Sequence, residues 1–497
     1  MEKFNLEELA GRLKRFGART ADALRELMAE TDSRGADVPD GPLSARKRLE
    51  ALFDEGTFTE TGIFVRRRAS EFDEAVPNEF ESVITGWGAV NGRLVYAFSQ
   101  DIGRTHGAVS EAHAKKICDI YKMALENGAP VVGIFDSHGA FLGEGVRALA
   151  GYGRIMKCVS DASGIIPQIA VAPGYAAGAS AVIAGMFDIL VSTENGSVSV
   201  NPASVTGGYD MGVCGVSALT AKNDGEAMLA VRSILGYLPS NNSEGIPEGI
   251  SKDVAGRASE LSAYAGSGDA HDMISAIADD GKFIEFFAAY APEVTTGIIS
   301  LGGTAAGVVA TNKAVGEGTL TSVGARKAAR MVSLLDSFNL PIITVVDSSG
   351  FSKSDESEKA PFGAELAKLA HSYAAATSPM VTLIAGEAYG TVFTVMGSKA
   401  IGADVVYALD SAKIASMNAK TAVAFLQNDN IGGNVTREDL EKQWNDTVAT
   451  PVEAAASGEI DDIISSDEVR ARLTSAVYML SQKSALPASR RHLNMPL

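Results

Sequence analysis

VVGIFDSHGAF (residues 131–141) is an apolar run that stops at Asp-Ser-His-Gly, and IITVVDSSGF (342–351) nearly repeats it. Each reads as a short buried strand emptying into a glycine-containing turn. Neither exit is surrounded by an obvious nucleophile, metal-ligand cluster or pair of acids. The repetition is the informative feature.

Working outward, the same pair of landmarks recurs on both sides. TGWGAVNGRLVYAF begins at Thr85 and TGIISLGGTAAGVVA at Thr296, an offset of 211, which also relates the two strand exits. Both segments place apolar runs around a two-residue turn, Asn91-Gly92 or Gly302-Gly303, the preferred chemistry of a tight hairpin. Helical patterns follow, SEAHAKKICDIYKMALENG and VGARKAARMVSLLDSFN. Beyond the exits, IPQIAVAPGYAAGA matches SPMVTLIAGEAYGT at an offset of 212. Four elements in one order at a nearly constant spacing predict an internal duplication of one α/β unit. The polar, Gly/Pro-bearing stretch SNNSEGIPEGISKDVAGRASE (240–260) places the boundary, giving domains 1–250 and 251–497.

The chain has 497 residues, 46% apolar and 21% charged, ordinary figures for a folded protein of two or three domains. A net charge of −18 argues against nucleic acid or an anionic membrane as the main partner. Cys118, Cys158 and Cys214 form no Cys-x-x-Cys pair, so neither a disulfide framework nor a metal site is expected, and a reducing cytoplasm is the natural compartment. The N-terminal MEKFNLEELAGRLKRFG lacks the apolar region of a signal peptide. Residues 165–187 carry no charge and are long enough to span a bilayer, but Pro167, Pro173, Gly174 and Gly178 interrupt them. A buried strand, a turn and a helix are predicted there instead.

Strands that run into Gly-rich loops ahead of helices present backbone N–H groups at the positive helix end. Two such amides aimed at one point make an oxyanion hole, and small side chains let a carbonyl approach them. The repeated exits therefore suit a reaction that stabilises charge on two carbonyl-type oxygens. Close packing of small residues is the ordinary alternative.

GVRALAGYGRIMKCVSDASGIIPQIAVAPGYAAGA, SEAHAKKICDI, GYLPSNN and the C-terminal RRHLNMPL resemble the carboxyltransferase subunits of biotin-dependent acyl-CoA carboxylases and sodium-pumping acyl-CoA decarboxylases. The resemblance runs from about Ser44 to Leu497. It implies two tandem crotonase-like domains, the first for an acyl-CoA thioester and the second for biotin on a separate carrier protein. It also implies a homo-hexamer and partners in a biotin carboxyl carrier protein and either a biotin carboxylase or a membrane decarboxylase subunit. Carried over by motif, the enolate hole falls at Gly139-Ala140 and Gly178-Ala179. The biotin oxygen faces Gly350-Phe351 and Thr391-Val392, with Gly390 and Thr394 beside it. The implied mechanism uses no side-chain base: an acyl enolate attacks CO₂ released from carboxybiotin, or the steps run backwards in a decarboxylase.

The chain departs from the family pattern in places. Asp136-Ser137-His138-Gly139-Ala140-Phe141 stands where relatives read Asp-Ser-Gly-Gly-Ala-Arg. Gly178-Ala179 replaces paired glycines, and Gly390-Thr391-Val392 replaces Gly-Gly-Ala. Thr394 stands where many relatives carry an Asp, and NPASVTGGYDMGV (201–213) is shorter than the family's substrate-covering loop.

Arg66, Arg67, Arg68 and Lys115 are candidates for CoA phosphates because Arg and Lys suit such contacts, although a solvated basic surface is their ordinary role. Lys116 is expected on the same solvated face. His138 could hydrogen-bond a ligand and make activity pH-sensitive, or act as a spacer. Two other readings stay open: an inactive structural paralogue, and a crotonase-type hydratase or isomerase with Glu144 as its acid.

Overall fold

A computed structural model describes residues 42–68, 80–201, 209–247, 258–353, 358, 361–432, 434–483 and 494–495. The C-terminal RRHLNMPL and residues 202–208 of the short loop fall largely outside these ranges. The chain separates into two compact units. One takes the described part of 1–208 with 220–232, the other 209–219 with the described part of 233–497.

The first unit opens with helix α1 (Ala45–Leu52) and strands β1 (Thr59–Thr61), β2 (Val83–Val90) and β3 (Arg93–Gln100). Helix α2 (Glu111–Asn127), β4 (Val131–Ile134), α3 (Val146–Ala162), β5 (Gln168–Ala172), β6 (Tyr175–Ala177), α4 (Ala179–Met186), β7 (Ile189–Thr193), β8 (Ser197–Ser199) and β9 (Leu219–Ala221) follow. The main sheet has the order β1-β2-β3-β4-β5-β7-β9, and β6 pairs with β8 outside it. β1, β2 and β3 are antiparallel, whereas β3, β4, β5 and β7 run parallel. β4 and β5 are buried along their whole length, as expected of parallel strands covered on both faces. Residues 165–187 form the predicted strand, turn and helix, and no helix among the described residues is long and apolar enough to cross a membrane.

The second unit repeats this plan. Helix α5 (Asp224–Tyr237) starts in the first unit; after it, α6 (Ala258–Ser267) and α7 (Ala270–Ile277) lead to β10 (Phe283–Phe286), β11 (Val294–Leu301) and β12 (Thr304–Thr311). Then come α8 (Ser322–Ser337), β13 (Ile342–Ser348), α9 (Phe362–Ala375), β14 (Met380–Tyr389), α10 (Thr391–Val395), β15 (Val405–Leu409), β16 (Lys413–Ala415) and β17 (Asp462–Ile464). Its sheet reads β10-β11-β12-β13-β14-β15-β17, with β16 on β14. Register is repeated as well as order. Tyr96 faces Val131 and Val131 faces Gln168; Gly307 faces Ile342 and Ile342 faces Met380, at the sequence offsets of 211 and 212.

Local chemistry repeats too. The hairpin turns hold Asn91 and Gly92 at φ 50 and 76°, and Gly302 and Gly303 at φ 61 and 84°. A carboxylate accepts both turn amides in each copy, Asp54 at 3.2 and 2.8 Å and Asp279 at 2.9 and 2.7 Å. Each is paired with an arginine, Arg232 at 2.7 Å and Arg470 at 2.6 Å. Helices α2 and α8 begin alike: the hydroxyls of Ser110 and Thr321 accept the amides of His113 and Gly324, both at 3.0 Å.

Candidate functional site

In the first unit the end of β4 and the start of α4 meet at a cleft of about 560 Å³. It is bordered by His138, Gly139, Ala140, Tyr175, Gly178 and Ala179, and by Leu149 and Tyr152 of α3. The second unit has a cleft of about 450 Å³ at the start of α10, lined by Gly390, Thr391, Phe393 and Thr394 among others.

Within each named pair of loop residues the two amides have different fates. Gly139 donates to Ser137 Oγ at 3.1 Å, and Gly178 to the Ser199 carbonyl at 3.0 Å. Both are therefore spent inside the fold. Val109 donates to the Gly139 carbonyl and accepts from Phe141, both at 2.9 Å. In such a parallel bridge the N–H of the intervening Ala140 points away from its neighbour strand. Ala179 is the first residue of α4, whose amide has no intrahelical acceptor. Among the described residues, neither the Ala140 nor the Ala179 N–H donates to the protein.

The second unit copies the arrangement. Gly350 donates to Ser348 Oγ at 3.2 Å and Gly390 to the Ala415 carbonyl at 3.0 Å. The Phe351 and Thr391 amides have no protein acceptor among the described residues. Gly350 and Phe351 do not border the 450 Å³ cleft, and the Phe351 ring packs edge-on against Phe362 with centroids 5.5 Å apart. Val392 is wholly buried behind exposed Thr391, whereas Thr394 is exposed in the cleft.

Gly178 sits at φ 59°, ψ −122° and Gly390 at φ 60°, ψ −140°, a region open essentially to glycine alone. A Cβ on Gly178 would meet nothing within 4 Å. Backbone conformation, rather than crowding, requires glycine there. This geometry turns the chain so that the following amide leads the helix.

Buried aspartates brace the exits from behind. Asp136 accepts from the Tyr175 amide at 3.3 Å and Asp347 from the Glu387 amide at 2.9 Å. Arg48 holds Asp136 at 2.8 Å and Asp224 at 2.8 Å, while the Tyr264 hydroxyl donates to Asp347 at 2.8 Å. A Cβ on Gly174 or Gly386 would lie 2.2 or 2.3 Å from these carboxylates, so only glycine admits the brace.

The remaining candidates divide. His138 borders the first cleft, stacked on His106 at 5.5 Å and edge-on to Tyr175 at 4.8 Å. The Arg67 guanidinium lies 4.3 Å from the centre of the Phe141 ring, beside the Ala140 turn. Arg66 stacks on Phe80 at 5.0 Å and Arg68 pairs with Glu111 at 3.4 Å. Arg66, Arg67 and exposed Lys115 are not among the described residues that line the first cleft. The expectation of a solvated Lys116 is wrong. Lys116 is buried, donates from Nζ to the Val83 carbonyl at 2.6 Å, and burial pushes its pKa down to about 8. Glu144 caps the start of α2, accepting the Glu111 amide at 2.6 Å, and does not border the cleft. No group of three or more potential metal ligands occurs among the described residues.

Sequence reasoning missed Tyr152, whose hydroxyl lies 3.3 Å from Ser180 Oγ and whose pKa burial raises. It also missed Leu149, Tyr175 and the Ser197–Val200 wall. Their only signal was a position on elements flanking the glycine turns.

Comparison with known proteins agrees with this geometry. The carboxyl transferase domain family matches residues 36–495. The propionyl-CoA carboxylase beta chain of Cereibacter sphaeroides is 37% identical, over 92% of this chain and 94% of that one. The methylmalonyl-CoA decarboxylase subunit alpha of Propionigenium modestum is 35% identical, with the same coverage. Among solved structures, a transcarboxylase 12S hexamer with methylmalonyl-CoA and methylmalonic acid bound superposes with a TM-score of 0.89 at 29% identity, covering 100% of both chains. The duplicated α/β plan, the twin glycine turns and this match across nearly the whole sequence agree: the chain belongs to the carboxyl transferase domain family.

Proposed function

We propose that this protein is the carboxyltransferase subunit of a biotin-dependent acyl-CoA carboxylase of the propionyl-CoA type, and that its first unit holds the thioester and its second the biotin. The observation that carries this assignment is the set of amides without a protein acceptor among the described residues, Ala140 and Ala179 together at the first cleft and Thr391 at the second, in a chain related throughout to acyl-CoA carboxylases.

In the first unit the Ala140 and Ala179 amides receive the thioester oxygen as negative charge develops on it. Amides aimed in advance need no reorganisation, and each contributes about 3–4 kcal/mol to such a transition state. Ser137 and the Asp136–Arg48 pair hold the turn without entering the cleft. The second cleft suits the ureido oxygen of biotin, a neutral acceptor that asks for N–H donors and no counter-cation. Thr391 would hold that oxygen, with Gly390 and Thr394 as walls, whereas Phe351 lies outside the cleft lining. When bound, biotin supplies or accepts the carboxyl group. Val392, buried behind Thr391, positions the turn rather than touching a ligand.

The Propionigenium relative favours a second role for the same machinery, decarboxylation as a methylmalonyl-CoA decarboxylase alpha subunit. The transcarboxylase 12S hexamer supports assembly as a hexamer, and a biotin carboxyl carrier protein with a carboxylase or membrane decarboxylase subunit is proposed as the set of partners. The hydratase reading has no support in the placement of Glu144. The test is exchange of label from methylmalonyl-CoA or malonyl-CoA to free biotin. Biotin-dependent transfer is expected, and its absence with every short acyl-CoA, together with no CoA binding by calorimetry, would leave the inactive paralogue.

A further inference from the structure

Helices α2 and α3 pack side by side in the first unit, and each leads into one of two parallel strands, β4 and β5. The helices therefore run in the same direction. They pack tightly at Ala114 and Gly151, where a Cβ added to the glycine would come within 2.9 Å of the alanine Cβ. Cys118 lies four residues beyond Ala114 and Cys158 seven beyond Gly151, so both return to the contacting faces. At about 1.5 Å per residue they sit roughly 6 and 10 Å further along parallel axes, less than one turn apart in height. Phase and height therefore bring the two thiols to the same contact between α2 and α3, and both are only partly buried. Cys214 is exposed and takes no part.

We propose that Cys118 and Cys158 are a redox-active pair, which a hydroperoxide converts to a reversible disulfide joining α2 to α3. The neighbouring Cys118 thiol lowers the pKa of Cys158, with Lys157 helping against burial and against Asp161 and Asp119; that of Cys118 is raised by Cys158 and by burial. Cys158 is thus the attacking thiolate and Cys118 the resolving thiol. The Cys158 sulfur attacks the peroxide O–O bond, becoming a sulfenic acid as water or an alcohol leaves. The Cys118 sulfur then displaces the sulfenic oxygen as a second water, forming the S–S bond. Two thiols are oxidised by two electrons and one peroxide is reduced, so the step balances.

The experiment exposes the purified full-length protein to hydrogen peroxide, counts free thiols after denaturation and maps peptides without reduction. The expected result is a fall from three free thiols to one, a cross-linked peptide containing Cys118 and Cys158, and recovery of all three with dithiothreitol. Cys214→Ser should still lose two thiols, whereas Cys118→Ser and Cys158→Ser should yield no such peptide. Retention of all three thiols, over-oxidation without a cross-link, or a cross-link through Cys214 would each overturn the proposal. The parent protein alone decides the matter if a serine variant fails to fold.

Discussion

Proline at position 179 isolates the proposed donor from everything around it. Ala179 opens α4, where proline is tolerated because its fixed φ suits the first helical turn and the missing N–H has no intrahelical acceptor. The helix's own early bonds, from Ala181 and Val182 to the Gly178 carbonyl, do not involve that amide. Ala179→Pro should therefore change folding stability by no more than about 0.5 kcal/mol. If the amide steadies the thioester oxygen, the same change removes about 2.7–4 kcal/mol from the transition state, a loss of roughly 10²–10³ in kcat. Exchange of label between methylmalonyl-CoA and free biotin measures the rate, and urea denaturation monitors the fold. Ala179→Ser keeps the N–H and should stay near parental activity. An Ala179→Pro protein that folds and transfers carboxyl groups within about threefold of the parental rate, a barrier change under about 1 kcal/mol, would refute this reasoning.

The corresponding substitution in the second unit, Thr391→Pro, should reduce transfer to free biotin by a similar roughly 10²–10³-fold while leaving acyl-CoA binding unchanged by calorimetry. Gly178→Ala should cost about 1–3 kcal/mol because its φ of 59° disfavours any side chain, whereas Gly185→Ala, exposed within α4, should stabilise by about 0.5–1 kcal/mol; chemical denaturation distinguishes them. Asp136→Asn strips buried Arg48 of one of its two carboxylates and should destabilise by up to about 3–5 kcal/mol in the same assay. His113 is wholly buried between Ser82 and Gln100, and burial pushes its pKa down to about 3, so it is neutral in the folded state. The unfolded chain takes up this proton below about pH 6.5, so stability contributed by His113 is present above that value and lost as pH falls towards 3. Its share between pH 6.5 and 5 is about 2 kcal/mol, and His113→Gln should flatten that limb of the stability profile.

The architecture was legible because duplication leaves a coarse signal: a pair of hairpin turns, a pair of strand exits and a constant spacing survive heavy substitution. Residue-level chemistry was legible only to the loop. Gly139, Gly178, Gly350 and Gly390 mark where the chain turns, but which amide of each pair is used internally depends on Ser137, Ser199, Ser348 and Ala415. Two of these acceptors are backbone carbonyls, which sequence does not distinguish. Lys116 looked like part of a solvated helix face because helical phase alone cannot show the Val83 carbonyl waiting above it. Cys118 and Cys158, forty residues apart, gave no spacing signal because their encounter depends on two helices being parallel neighbours.

The two alanines proposed to present their N–H groups to the first cleft have a consequence for how such a protein diversifies. Nineteen of the twenty residue types would supply the same hydrogen at either position, so drift there reshapes the walls of the chamber and leaves the main-chain donors in place. On the proposed function, changes at His138, Leu149 or Tyr175 would alter the shape offered to an acyl group while the backbone donors stay in place.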